Sequence, residues 1–144
     1  QGLIFIAAKS VLNVENINLY TKMKLRIKGN AIRLRLTKTD VKDLAQYGMV
    51  TEHTNFGNAV FNYSLQKKIM RENLSASFMG NNMTVFISEK SVEELVHTDK
   101  VSVKYIQQTE NASGLFLLVE KDFKCLDESP ENQEDMYEHP GKLC

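Results

Sequence analysis

The sequence predicts an α+β domain in which one ββαββ unit occurs twice, giving about eight antiparallel strands in a sheet or barrel and two short helices. Three observations predict it. Laid over each other without gaps at an offset of 51, Met23–Val50 and Leu74–Val101 bring Gly29-Asn30 onto Gly80-Asn81. The same overlay puts Ile32, Leu34 and Leu36 on Met83, Val85 and Ile87. In both stretches the apolar period then changes from two to between three and four, straight after Thr37 or Ser88, which is how a strand gives way to a capped helix.

Each element has its own local reason. Gly-Asn tolerates positive φ and suits a two-residue hairpin turn. With Gly29-Asn30 as the loop, Ile27 faces Ile32, Leu25 faces Leu34 and Met23 faces Leu36, all on one side of the ribbon. In the second unit Phe78, Ala76 and Leu74 face Met83, Val85 and Ile87 in the same way. Thr37 and Ser88 are natural N-caps, and the pairs Leu36/Val41 and Ile87/Val92 are placed as hydrophobic staples. Val41, Leu44 and Ala45, and Val92, Leu95 and Val96, form short apolar stripes, and Gly48 stands where the first helix should end. A second hairpin follows in each unit: Val50–Phe56 with Ala59–Leu65 around Gly57-Asn58, then Val101–Ile106 with Leu115–Phe123 around a longer loop, Gln107–Gly114. Leu115–Val119 is apolar on both faces, which predicts a central strand. The domain is expected over residues 23–127, with units at 23–65 and 74–123, a polar linker at 66–73 and an acidic, solvated tail at 128–144.

Composition narrows the function classes. Lys+Arg and Asp+Glu both number 18, so a general nucleic-acid binder, which carries a basic excess, is not indicated. No apolar run approaches the ~20 residues that span a bilayer, and a cytoplasmic location is expected. Residues 1–22 precede Met23, where the well-patterned region starts; they read either as a stretch outside the native start or as a genuine N-terminal element. There is no glycine-rich phosphate loop, no GxSxG and no HExxH. No cofactor is expected.

Candidate site residues are those that break the logic shared by the two units. Lys24, Arg26 and Lys28 alternate with apolar residues, as do Arg33 and Arg35, so Arg26 lies opposite Arg33 and Lys24 opposite Arg35. Like charges across a strand pair destabilise it, and the second unit has Ser75, Ser77, Thr84 and Phe86 there. Two readings stand: a solvated face balanced by Glu120 and Asp122, or an anion site, since guanidinium forks suit phosphate and carboxylate. Glu52 falls on the apolar face opposite Tyr63, and at the same offset its counterpart is Val103. A slipped register or an open face explains it, or else a role as acid, base or ligand. Cys125, His139 and Cys144 are weak metal candidates whose spacing matches no zinc signature.

The stretches MKLRIKGNAIRLRLTKTDV (from Met23), VTEHTNFGNAVFNYSL (from Val50) and LLVEKDFKCLD (from Leu117) resemble an uncharacterised bacterial family of short proteins, a domain of unknown function. The resemblance covers Met23 to about Tyr137. It implies Met23 as the start and marks Arg26, Arg33, Arg35, Glu52, Lys121, Asp122, Cys125 and Asp127 as motif positions, but it implies no activity. The topology is also similar to the triphosphate-tunnel phosphohydrolases, duplicated barrels with charged channels, although their ExExK strand motif is missing.

Three functions follow as expectations. The first is a non-catalytic module in which Lys24, Arg26, Arg33 and Arg35 hold a small anionic ligand or an acidic protein surface. The second is a phosphate or polyphosphate hydrolase. In it those arginines clamp phosphate while Glu52, Glu120 or Asp122 holds a divalent cation or acts as base. The third is a structural or interaction protein whose acidic tail docks on the basic hairpin.

Overall fold

The computed structural model describes residues 22–110, 112–124, 134–138 and 140. Among them the chain runs β1 (Lys24–Lys28), β2 (Ala31–Leu36), α1 (Lys38–Tyr47), β3 (Met49–Asn55), β4 (Val60–Lys68), β5 (Leu74–Met79), β6 (Asn82–Ser88), α2 (Glu89–His97), β7 (Ser102–Thr109) and β8 (Ala112–Lys121). This is the expected ββαββ order, twice over. The first hairpin of each unit has the expected register, with Arg26 opposite Arg33 and Ala76 opposite Val85. Gly29 and Gly80 supply the positive φ that their turns require. The loop expected at Gln107–Gly114 is mostly strand: β7 and β8 pair as far as Thr109 and Ala112, and a bulge between Gln107 and Thr109 absorbs the irregularity.

The eight strands form two four-stranded mixed sheets and no closed barrel. The hairpins are antiparallel, but hairpins meet one another through parallel pairs. Sheet A has the order β1-β2-β8-β7 and sheet B the order β3-β4-β6-β5. β2 runs parallel to β8, and β4 parallel to β6. Each sheet therefore takes one hairpin from each half of the chain. β8 is central, as its two apolar faces require.

The inner faces make the core. Leu34, Leu117, Val119 and Val103 from sheet A, and Leu65, Leu74, Val85 and Ile87 from sheet B, are almost fully buried. Each such side chain contributes roughly 1.5–3 kcal/mol. Val41 and Leu44 of α1 and Val92 and Leu95 of α2 belong to the same core. At one pair of edges the Gln107 side-chain amide stands in for a peptide group: it accepts from Ala76 N at 2.6 Å and donates to Ala76 O at 3.0 Å, tying β7 to β5. On the other side Tyr63 Oη donates to Met23 O at 3.0 Å.

The helices start and stop where the caps dictate. Thr37 Oγ1 accepts from Asp40 N, and the Asp40 carboxylate accepts from Thr37 N at 2.9 Å, a complete capping box. Ser88 Oγ accepts from Ser91 N at 3.1 Å. Gly48 ends α1 with φ 80°. Residues 134–138, expected in a solvated tail, are part of the fold. Met136 is 2% exposed, and Tyr137 N donates to Asp122 O at 2.8 Å. Asp135 sits over the start of α1, its carbonyl accepting from Lys38 N at 3.0 Å and its carboxylate from Thr39 N at 3.1 Å. The physical reason is the helix N-terminus: its free N–H groups and positive dipole end attract an acidic residue. This segment thus docks on α1 and not on the basic hairpin.

Thr37→Ala removes both hydroxyl bonds of the capping box. It is expected to lower stability by about 1–2 kcal/mol, read as a lower urea midpoint at unchanged slope.

Candidate functional site

Strand alternation assigns the candidate residues to faces. In β2 Leu34 and Leu36 point inward, so Arg33 and Arg35 point out; in β8 Leu117 and Val119 point inward, so Phe116, Leu118 and Glu120 point out. The registers arrange the outer face of sheet A in rows. Lys24, Arg35, Glu120 and Ser102 make one, Arg26, Arg33, Leu118 and Lys104 the next, and Lys28, Ala31, Phe116 and Ile106 the third.

Within this face Glu120 is the pivot. Its Oε1 accepts from Arg33 Nε at 2.5 Å and from Arg35 Nε at 3.0 Å. Lys24 Nζ lies 3.3 Å from Asp122 Oδ2, and the Asp122 side chain is 7% exposed. The solvated-face reading, in which Glu120 and Asp122 balance the charge, therefore holds for Lys24, Arg33 and Arg35. It does not extend to Arg26, Lys28 and Lys104, which are exposed and make no ion pair among the described residues. A shallow depression of about 280 Å³ lies against Arg26, Lys28, Arg33, Phe116 and Leu118. Phe116 is 38% exposed and Ile106 54%, so the basic groups surround an apolar strip.

The outer face of sheet B is of another kind. Its rows are Met49, Gln66, Phe86 and Ser75; Thr51, Ser64, Thr84 and Ser77; and His53, Asn62, Asn82 and Met79. None of these is Lys, Arg, Asp or Glu. Five of them are joined by side-chain bonds, Thr51 Oγ1 with Ser64 Oγ at 2.9 Å, His53 Nδ1 with Asn62 Oδ1 at 2.8 Å, and Asn62 Nδ2 to Asn82 Oδ1 at 2.8 Å. That face carries neutral groups in these rows, whereas sheet A leaves cations unmatched among the described residues.

Glu52 stands apart from the arginines. Its register is not slipped: it lies opposite Tyr63, on the inner side of sheet B, because Val50 two residues earlier is buried. Its counterpart is Tyr105, not Val103. Val50 pairs Leu65, which pairs Val85, while Val103 pairs Val119, which pairs Leu34. Val50 and Val103 are thus equivalent, because the turn after α2 is longer than the one after α1. Glu52 Oε2 is buried without a hydrogen-bond partner. Burial raises its pKa, and nearby Lys22 and His53 offset part of the rise. It also acts on Asp40, whose carboxyl is raised to about 6, first by burial and then by the charges of Glu52 and Asp135, against the Thr37 hydrogen bonds. No arrangement places Glu52 on the same face as Arg26, Arg33 and Arg35, so a phosphate clamp with Glu52 as its base has no common concavity.

No group of three His, Cys, Asp or Glu among the described residues could hold a metal ion. Cys125, His139 and Cys144 lie outside those residues. Lys104, Phe116 and Ile106 escaped the sequence reading of the site. Their outward direction is legible from alternation, but the neighbours of β2 are not. No helix among the described residues is long and apolar enough to cross a membrane.

A folded carboxyl with a raised pKa stabilises the fold below its unfolded pKa and loses that contribution as pH rises through the folded value. For Asp40 the loss falls between about pH 4 and pH 6 and amounts to no more than about 3 kcal/mol; Glu52 has the same sign. Urea midpoints measured across this range are expected to fall, and Glu52→Gln to flatten the fall while raising stability at neutral pH by about 1 kcal/mol.

The profile of a family described as a family of unknown function (DUF7009) matches residues 23–141. No curated protein and no solved structure matches the chain.

Proposed function

We propose that this chain, which belongs to the family of unknown function (DUF7009), is a non-catalytic binding module whose basic sheet face docks an acidic protein surface. The observation that carries the reading is the mismatch of charge on that face. Among the described residues Glu120 and Asp122 engage Lys24, Arg33 and Arg35 of this face, while Arg26, Lys28 and Lys104 share it without an ion pair. A partner with interspersed Asp or Glu would match Arg26, Lys28 and Lys104, and an apolar side chain between them would cover Phe116 and Ile106. Complementarity of this kind steers encounter and sets register more than it adds affinity. Burial of the apolar strip supplies the attraction that salt does not screen.

The face is broad and shallow, which suits a protein surface better than an enclosed small molecule. Arg33 and Arg35 are engaged by Glu120 and can turn outward only by giving it up. Arg26 and Lys104, at opposite ends of one row, are the cations to test.

A fluorescent peptide of alternating Glu and Leu, titrated into the full chain, is expected to bind at low salt. Binding should weaken by at least about tenfold in an Arg26→Ser/Lys104→Ser variant, and Phe116→Ser should lower the affinity that persists at high salt. Equal binding by wild type and the double variant would overturn the reading. Tighter binding of single-stranded oligonucleotides than of the peptide would replace it with a nucleic-acid interface.

A further inference from the structure

Two lysines occupy equivalent places in the two central parallel pairs. Lys67 of β4 lies beside Ile87, and Lys121 of β8 beside Leu36. Leu36 and Ile87 are in turn the staple residues that precede the two helix caps. Lys67 Nζ donates to Ala45 O at 3.4 Å, in the last turn of α1. That satisfies the ammonium and one of the free carbonyls of the helix C-terminus. The residue of α2 that corresponds to Ala45 is Val96, but Lys121 forms no bond to it.

Lys121 is 9% exposed, its stem buried and its ammonium end reaching solvent at the groove. Among the described residues it has no ion pair and no hydrogen-bond acceptor; its ammonium lies 5.0 Å from the centre of the Tyr137 ring. Burial pushes its pKa down, and the more distant charge of Asp99 offsets part of that.

The space Lys121 faces is a groove of about 480 Å³ between α1, α2 and Tyr137. Val41, Ala45 and Val96 give it an apolar wall. Lys38 and Lys42, both exposed, stand on the α1 side, and His97 on the α2 side, paired with Glu93 at 3.2 Å. Among the described residues no Asp or Glu lines the groove.

We propose that this groove binds a small organic anion. Its apolar body lies against Val41, Ala45 and Val96, and its phosphate or carboxylate head is held by Lys121 together with Lys38 and Lys42. A head at this position gives the Lys121 ammonium an acceptor of the kind that Lys67 already has from the protein in the other unit. An inorganic ion would leave the apolar wall wet, and a neutral molecule would leave Lys121 unmatched, so both parts of the ligand are needed. Lysine ammoniums are compact point charges that suit either head. Tyr137 belongs to the carboxy-terminal segment that caps α1 through Asp135, so occupancy of the groove tightens the docking of that segment. The site is separate from the outer face of sheet A and shares none of its residues.

Calorimetric titration of the full chain with hexyl phosphate, hexanoate, hexanol and hexylammonium tests it at concentrations where these chains do not form micelles. Hexyl phosphate or hexanoate is expected to bind at least about tenfold more tightly than hexanol, the worth of one charge-assisted hydrogen bond, and hexylammonium not at all. The preferred head distinguishes phosphate from carboxylate. Lys121→Met should bring the anions down to the level of hexanol, while Arg26→Ser/Lys104→Ser should leave them as in wild type. Val96→Glu, a change at a partly exposed position, places a carboxylate in the groove without touching the buried lysine and should abolish anion binding. Equal affinity for hexanol and both anions in the wild type would overturn the proposal. So would undiminished anion binding in Lys121→Met or, if that variant does not fold, in Val96→Glu.

Discussion

The two parallel strand pairs, β2 with β8 and β4 with β6, are the constraint on which the rest of this structure depends. Each hairpin can be specified locally by its turn and its alternation, but a two-stranded hairpin is marginal in water. Stability comes when hairpins from opposite halves of the chain join through their inner strands. Leu34 then meets Val119, and Leu65 meets Val85, and all four are sealed between the sheets. Neither half of the chain owns a sheet. The core is a product of both halves, and its contacts join distant parts of the sequence, the topology that folds slowly.

The same pairings decide what each outer face looks like. Parallel pairing with β8 sets Glu120 beside Arg35 and within reach of Arg33, which offsets the repulsion built into the β1–β2 hairpin. Half-exposed ion pairs contribute little net stability. The role of Glu120 is therefore permissive: it allows a hairpin to carry facing cations without splitting. Beyond its reach the charge of Arg26, Lys28 and Lys104 is left for solvent or a partner. Sheet B, assembled by the same rule from neutral hydrogen-bonding residues, has no comparable surplus.

The two ββαββ units agree wherever packing alone is at stake and diverge at a few polar positions. Lys67 caps a helix while Lys121 faces a groove. Glu52 stands in one unit where the other has Tyr105. Gln107 bridges two strand edges with a side-chain amide. Sequences that specify one structure are consistent across levels and break their own rules mainly at sites with another task. Glu52 and Lys121 are the clearest such breaks: Glu52 buries a carboxylate oxygen without a hydrogen-bonding partner where the other unit has Tyr105, and Lys121, unlike its equivalent Lys67, has no hydrogen-bond acceptor among the described residues.

Sequence by itself determined the elements that rest on short-range physics. The Gly-Asn turns set the register of both first hairpins, Thr37, Asp40 and Ser88 set the helix starts, and Gly48 sets the end of α1. The apolar run of β8 made it a central strand, and the basic alternation of β1 and β2 was plain on reading. Tertiary structure alone decided which hairpins are neighbours, because a strand's pattern tells which face is buried but not which strand lies beside it. That choice placed Glu120 among the arginines and Phe116 and Lys104 on the same face. It put Glu52 on the inner side of the other sheet, whereas a phosphate clamp that uses it needs it next to the arginines. It also drew residues 134–138, which read as solvated from their acidity, onto the start of α1, since a free helix N-terminus is visible as an acceptor of negative charge only once the helix has been placed within reach.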